Sequence, residues 1–171
     1  MTVPSPTARV AFREMSLADL DDMAALLGDP KIMRHYPHPL SRNEAADWIA
    51  RNQRRYREDG FGLWLLTLRA TGEFVGDSGL TIQEVDGVKE TEVGYHIRTV
   101  LQGSGLATEA AEACRDYARS VLGVKRLVAI IDPQNRPSQR VAEHLGMVLE
   151  RETDNGGRWQ SPPRRIYAMA V

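Results

Sequence analysis

Cysteine is nearly missing from this chain. Cys114 stands alone, which excludes an internal disulfide and any cysteine-rich metal site, and no metal is expected. Long apolar runs are missing too: nothing approaches the roughly 20 residues of a membrane-spanning helix, so no membrane partner is expected. The opening residues, M-T-V-P-S-P-T-A-R-V, lack the apolar core of a signal peptide, and the expected location is cytoplasmic. An excess of one charge is also absent, with 22 Lys plus Arg against 23 Asp plus Glu. That balance gives no reason to expect a polyanion as general partner and disfavours general nucleic-acid binding. There is no internal repeat and no low-complexity stretch. The 171 residues are expected to form one domain, 1–171, long enough to bury most of its unfolded surface without covalent staples.

What the sequence does have is period. Residues 9–15 read as an opening strand, and S-L-A-D at 16–19 reads as a capping box for a short helix. Leu17, Leu20, Met23, Ala24 and Leu27 give that helix one apolar face, and Gly28 stops it. The stretch K-I-M-R-H-Y-P-H-P-L is held out of regular structure by Pro37 and Pro39, yet it carries His35, Tyr36 and His38, side chains suited to a pocket wall. A second box, S-R-N-E at 41–44, starts a helix with Ala45, Trp48, Ile49, Asn52 and Tyr56 on one face. The arginines on its other faces read as solvated surface. Residues 61–69 and 74–80 read as strands joined near Thr71 and Gly72, and Asp86-Gly87 turns the chain into the next strand.

The most informative stretch is E-V-G-Y-H-I-R-T-V-L-Q-G-S-G-L-A-T-E-A at 92–110. Val93, Tyr95 and Ile97 alternate with Glu92, Gly94 and His96, the period of a strand. From Leu106 the apolar residues fall instead at helical spacing, through Ala107, Ala110, Ala111, Cys114, Tyr117, Ala118 and Val121. Between the two periods Gly103 and Gly105 allow conformations closed to other residues, and a helix start presents unpaired N–H groups and a partial positive charge. An anion fits there. R-L-V-A-I-I at 126–131 then reads as a buried strand parallel to the first, which closes a β-α-β unit around the glycine loop. Asn135 and Pro137 open a last helix with Ser138, Val141, Ala142 and Leu145 inward and Gly146 as its stop. Strands near 147–153 and 164–170 close the chain, with Trp159 in the loop between them placed to cover a substrate.

Residues 102–107, Q-G-S-G-L-A, resemble the Q/R-x-x-G-x-G/A signature of the GNAT acyltransferases, whose loop amides hold the pyrophosphate of acetyl-coenzyme A. E-V-G-Y-H-I resembles that superfamily's fourth strand and A-T-E-A its third helix. N-R-P-S-Q-R-V-A-E-H-L-G-M at 135–147 resembles the segment after the next strand. Nearly the whole chain is similar to the ribosomal-protein alanine N-acetyltransferase (RimJ/RimL-like) branch. The resemblance implies an α/β (α+β) fold: a mixed, mostly antiparallel sheet of about seven strands flanked by about four helices. It also implies direct transfer of an acetyl group from acetyl-coenzyme A to a primary amine, either a protein N-terminal α-amine or a small-molecule amine, without a metal.

Carried onto this chain, the resemblance places acetyl-coenzyme A against Ile97, Arg98, Gln102, Gly103, Ser104, Gly105, Leu106, Ala107 and Thr108, with Asn135 and Ser138 along its pantetheine arm. Glu92 matches the position from which relatives use a carboxylate as base, although a strand carboxylate paired with an arginine is an equal reading. His96, on the same face, is the reserve base because its pKa lies naturally near neutrality. The tyrosine that many relatives use to protonate the departing thiolate is replaced by Ala142, which leaves Ser138 or solvent as the acid. His35, Tyr36 and Trp159 are the expected acceptor contacts. A non-catalytic coenzyme A sensor on the same fold and a dinucleotide-binding domain are the alternatives. Against the latter, Thr108 replaces the third fingerprint glycine, the motif follows several strands, and too little chain remains for a second half. The chain is expected to be a monomer or homodimer.

Overall fold

The computed structural model describes residues 3–156 and 163–171. Seven strands, β1 Val10–Arg13, β2 Leu63–Leu68, β3 Phe74–Val85, β4 Val88–Ile97, β5 Arg126–Ile131, β6 Val148–Thr153 and β7 Arg164–Ala170, form one sheet in the order β1-β2-β3-β4-β5-β7-β6. Every pairing is antiparallel except that of β4 with β5. The helices are α1 Leu20–Leu27, α2 Arg42–Glu58, α3 Leu106–Ser120 and α4 Arg136–His144. This is the mixed, mostly antiparallel sheet with a β-α-β unit that the resemblance implies. No helix among the described residues is long and apolar enough to cross a membrane.

The helix ends obey local chemistry. Ser41 and Glu44 cap α2 reciprocally, with the Glu44 N–H donating to Ser41 Oγ at 3.2 Å and the Ser41 N–H donating to Glu44 Oε2 at 2.8 Å. Asn135 Oδ1 accepts from the Ser138 N–H at 3.2 Å at the start of α4. The β3–β4 hairpin turns at Asp86 and Gly87, both with positive φ, which matches the right-handed twist of the paired strands. β3 runs to Val85, five residues beyond the expected end at 80, because Thr81 to Val85 keep pairing with β4 in unbroken register.

The two larger cores lie on opposite faces of the sheet, and a smaller cluster of Val85, Val128, Ile166 and Ala168 packs beside them. One joins α3 and α4 to Val93, Ile97, Leu127 and Ala129; the other joins α1 and α2 to Leu63 and Leu65. The inward face of α4 differs from the apolar stripe read from sequence. Gln139 is fully buried, while Ser138 and Val141 stand at the margin. The amide earns its burial by donating from Nε2 to Pro133 O at 2.8 Å and to Asp132 O at 3.3 Å, which ties down the β5–α4 loop.

The parallel seam decides where a site can open. β4 pairs with β5 at Glu92 and Val128, and beyond that point β5 completes its pairing with β7 while β4 continues with β3. The two strands part like a fork. Gly94 to Ile97 on one prong and Ala129 to Ile131 on the other line a cavity of about 950 Å³.

Candidate active site

Helix α3 starts at the rim of this fork. Gly103 and Gly105 have φ of 78° and 83°, a left-handed region that penalises residues with a Cβ, and Gly105 serves as N-cap without a capping side chain. The N–H groups of Gly103 to Thr108 find no acceptor among the described residues. The helix dipole adds positive character at the same point. The loop is braced from behind: Arg9 donates from Nη1 to Ser104 O at 2.8 Å and pairs with Glu109 at 2.6 Å. Gln102 Nε2 donates to Ile97 O at 2.9 Å, so its side chain shapes the loop. These residues fit a diphosphate: rigid backbone donors, no obstructing side chain, and an open approach.

Not every residue assigned to the cofactor faces the cavity. Gln102, Gly103, Gly105, Leu106, Ala107, Thr108, Asn135, Ser138 and Ile97 line it, whereas Arg98 and Ser104 do not. The Arg98 guanidinium is held by Glu73 at 2.7 Å and by Phe74 O at 2.9 Å, and Ser104 Oγ donates back to Leu101 O at 2.6 Å. Their side chains serve the loop's shape.

Strand alternation sends Glu92 and His96 to the α2 side of β4, away from the α3 core. His96 is buried and its Nδ1 stands 2.7 Å from Asp77 Oδ1 on β3, while Nε2 stands 2.6 Å from the Tyr36 hydroxyl. Trp48 Nε1 donates to the second Asp77 oxygen at 3.2 Å. With a carboxylate accepting at Nδ1, the neutral ring keeps its proton there and Nε2 accepts from Tyr36. Burial alone would lower the His96 pKa, but the charge and hydrogen bond of Asp77 outweigh it and raise the value.

Glu92 sits at the fork's vertex, half-buried, and accepts from Thr81 Oγ1 at 3.0 Å. Burial pushes its carboxyl up to about 7, against the pull of the Thr81 bond and the Arg55 charge. A carboxyl there takes or gives a proton at neutral pH, which an ordinary surface glutamate does not do efficiently. Its alternative reading, a carboxylate in an arginine pair, does not describe it, since it makes no ion pair among the described residues.

Of the expected acceptor contacts, Tyr36 enters the His96 chain, and His35 lines the cavity with its Nδ1 3.5 Å from Asp132 Oδ2. Trp159 lies outside the described residues. Two residues escaped sequence reading. Asp77, fully buried, belongs to the run G-D-S-G within β3, and a carboxylate amid a buried strand is the signal that marks it. Arg55, read as part of a solvated helix face, instead lines the cavity with Thr81, Gln83 and Glu92.

A forked, mixed sheet with an anion-receptive helix start at the fork defines the acyltransferases of GNAT architecture. The chain belongs to that family: residues 9–148 match the acetyltransferase (GNAT) domain. The curated relative YkkB of Bacillus subtilis, itself uncharacterized, is 35% identical over 142 residues, covering 82% of this chain and 83% of YkkB. An acetyltransferase structure from Agrobacterium tumefaciens superposes with a TM-score of 0.81 at 26% identity, covering 98% of this chain and 94% of that one. RimJ of Mycobacterium smegmatis, in complex with CoA-disulfide, has the same fold at a TM-score of 0.74 and 19% identity, covering 99% and 89%. RimJ/RimL ribosomal-protein acetyltransferases are thus among its structural neighbours. The family is one of acyltransferases, and its fold uses acetyl-coenzyme A.

Proposed function

We propose that this protein transfers the acetyl group of acetyl-coenzyme A directly to a primary amine, with Glu92 as the general base. Acetyl-coenzyme A supplies an activated acyl group carried on a thiol. The amides of Gly103 to Thr108 would hold its diphosphate, and Asn135 and Ser138 would flank the arm that enters the fork. The observation that carries the base assignment is the half-buried Glu92 carboxyl at the vertex of that fork, lining the cavity beside Thr81, where burial pushes it up to about 7. An ammonium entering the cavity loses a proton to Glu92 and becomes nucleophilic. His96 lies four residues along the strand, roughly 13 Å by strand rise, so one acceptor nitrogen does not reach both directly. The acid is assigned to Ser138 or solvent, because position 142 carries an alanine.

The acceptor class is an amine on a small molecule or at a protein N-terminus. The test is a panel of both, assayed by release of the coenzyme A thiol, alongside calorimetric titration of acetyl-coenzyme A. Turnover of an amine that collapses in Glu92→Gln supports the reading. Tight binding with no turnover on any amine would leave a coenzyme A sensor, and no binding at all would overturn both.

A further inference from the structure

Arg55 is the anomaly of the cavity. α2 brings it into the same wall as Thr81, Gln83 and Glu92, where it is half-buried. The buried Arg164 sits against Asp132, the partly exposed Arg126 against Glu90 and Glu150, and the half-buried Arg51 over the Trp48 ring at 5.8 Å. Arg55 has none within ion-pair distance among the described residues; Arg164, Arg126 and even the more exposed Arg9 and Arg13 do. Among the described residues its hydrogen bond is to Asn52 Oδ1 at 3.3 Å, and that oxygen already accepts from the Leu63 N–H at 3.0 Å. Burial draws its pKa down, and the Glu92 charge only partly offsets the effect. A five-donor fork is therefore half withdrawn from water with most of its donors unmatched among the described residues, which costs stability unless something else uses them.

The cofactor's diphosphate does not use them. The glycine loop follows the end of β4 at Ile97, five residues or roughly 16 Å of strand beyond Glu92, whereas Arg55 shares its stretch of wall with Glu92 and Thr81. A group that pairs with Arg55 while an amine faces Glu92 must be anionic and belong to the acceptor. Planar guanidinium donors match a carboxylate in two parallel hydrogen bonds. We infer that the acceptor is an amino carboxylate, whose amine meets Glu92 and whose carboxylate is held by Arg55. This rests on the amine-acetyltransferase reading above and deepens it. The carboxylate belongs either to a free amino acid or to an acidic residue next to a peptide N-terminus.

The test compares matched acceptors. Glycine, the common L-amino acids, β-alanine and γ-aminobutyrate are assayed against their carboxamides, and dipeptides with Asp or Glu in second position against those with Asn or Gln. At least one acid is expected to exceed its amide in kcat/KM. Arg55→Gln is expected to lower kcat/KM for that acid roughly 10- to 100-fold more than for the amide, the size of a charged hydrogen bond, when both are measured above the pH range in which Glu92 titrates, with acetyl-coenzyme A affinity unchanged. Arg55→Lys is expected to recover part of the loss, which separates charge recognition from a folding defect. The two acceptor arms tell a free amino acid from a peptide. Turnover that ignores the carboxylate, or an Arg55→Gln loss equal for acid and amide, overturns this inference and leaves the acetyltransferase reading standing. No turnover in either arm beside turnover of an amine that lacks a carboxylate overturns this inference alone; bound acetyl-coenzyme A with no turnover on any amine overturns both.

Discussion

Burial pushes the Glu92 carboxyl up to about 7, so near neutral pH it is divided between its two forms. Only the ionised form accepts a proton, so kcat/KM should rise as pH increases through about 7. Stability runs the other way. A carboxyl with a raised folded-state pKa binds its proton more tightly in the folded chain, so its contribution is present at low pH and is lost between about 4.5 and 7. Glu92→Gln should lower kcat/KM for the amine by about 10²- to 10⁴-fold, with partial recovery at high pH where free amine accumulates. The same variant should gain on the order of 2 kcal/mol at pH 8 and almost nothing at pH 4. Parental kinetics with an unchanged pH profile would move the role to His96 or to a bound water. Asp77 is the second residue with measurable weight, since it alone serves both His96 and Trp48. Asp77→Ala should cost about 2–4 kcal/mol by denaturant titration, because both partners are left buried and unsatisfied.

At the scale of the element, the strand–loop–helix junction is the proposed anion site and α3 supplies its support. Gly105→Trp places a bulky side chain over the amides and forces a left-handed residue to carry a Cβ. It should reduce acetyl-coenzyme A affinity at least ~100-fold in calorimetry and cost roughly 1–2 kcal/mol of stability. Cys114 lies in the middle of α3, fully buried, and burial pushes its thiol up to about 12. A thiol so placed is neither accessible nor ionised, which favours direct transfer over an acyl-cysteine route. Cys114→Ala should therefore keep activity within about threefold, with a packing loss near 1 kcal/mol. Loss of activity at unchanged cofactor affinity would instead demand a covalent step.

At the scale of the molecule, the sheet is one surface up to Glu92 and Val128 and two prongs beyond. A ligand lying in that gap touches both halves and favours the folded chain by mass action. At a hundredfold excess over Kd, acetyl-coenzyme A should add about 2.7 kcal/mol, or roughly 5–10 °C in Tm for a chain of this size. A thermal melt that ignores the ligand would place its site elsewhere.

The sequence by itself determined the elements and the chemistry that is local to them. Period two put Glu92 and His96 on one face of β4, glycines marked the turn into α3, and a Ser-x-x-Glu spacing and the Asn135 and Pro137 pair marked helix starts, because each depends on residues within one turn or pleat. Only the tertiary structure decided what those faces meet. Tyr36 reaches His96 across 60 residues of sequence, and Asp77 reaches it across 19. Gln139 is buried because the β5–α4 loop offers it two carbonyls, and no periodicity carries that information. Arg55 shares helical spacing with solvated arginines, yet the fold of α2 over β3 and β4 turns it into the cavity wall. A helix pattern specifies which residues share a face; what covers that face is set by long-range packing, and the wall of this cleft around Arg55, Tyr36 and His96 is built almost wholly from such contacts.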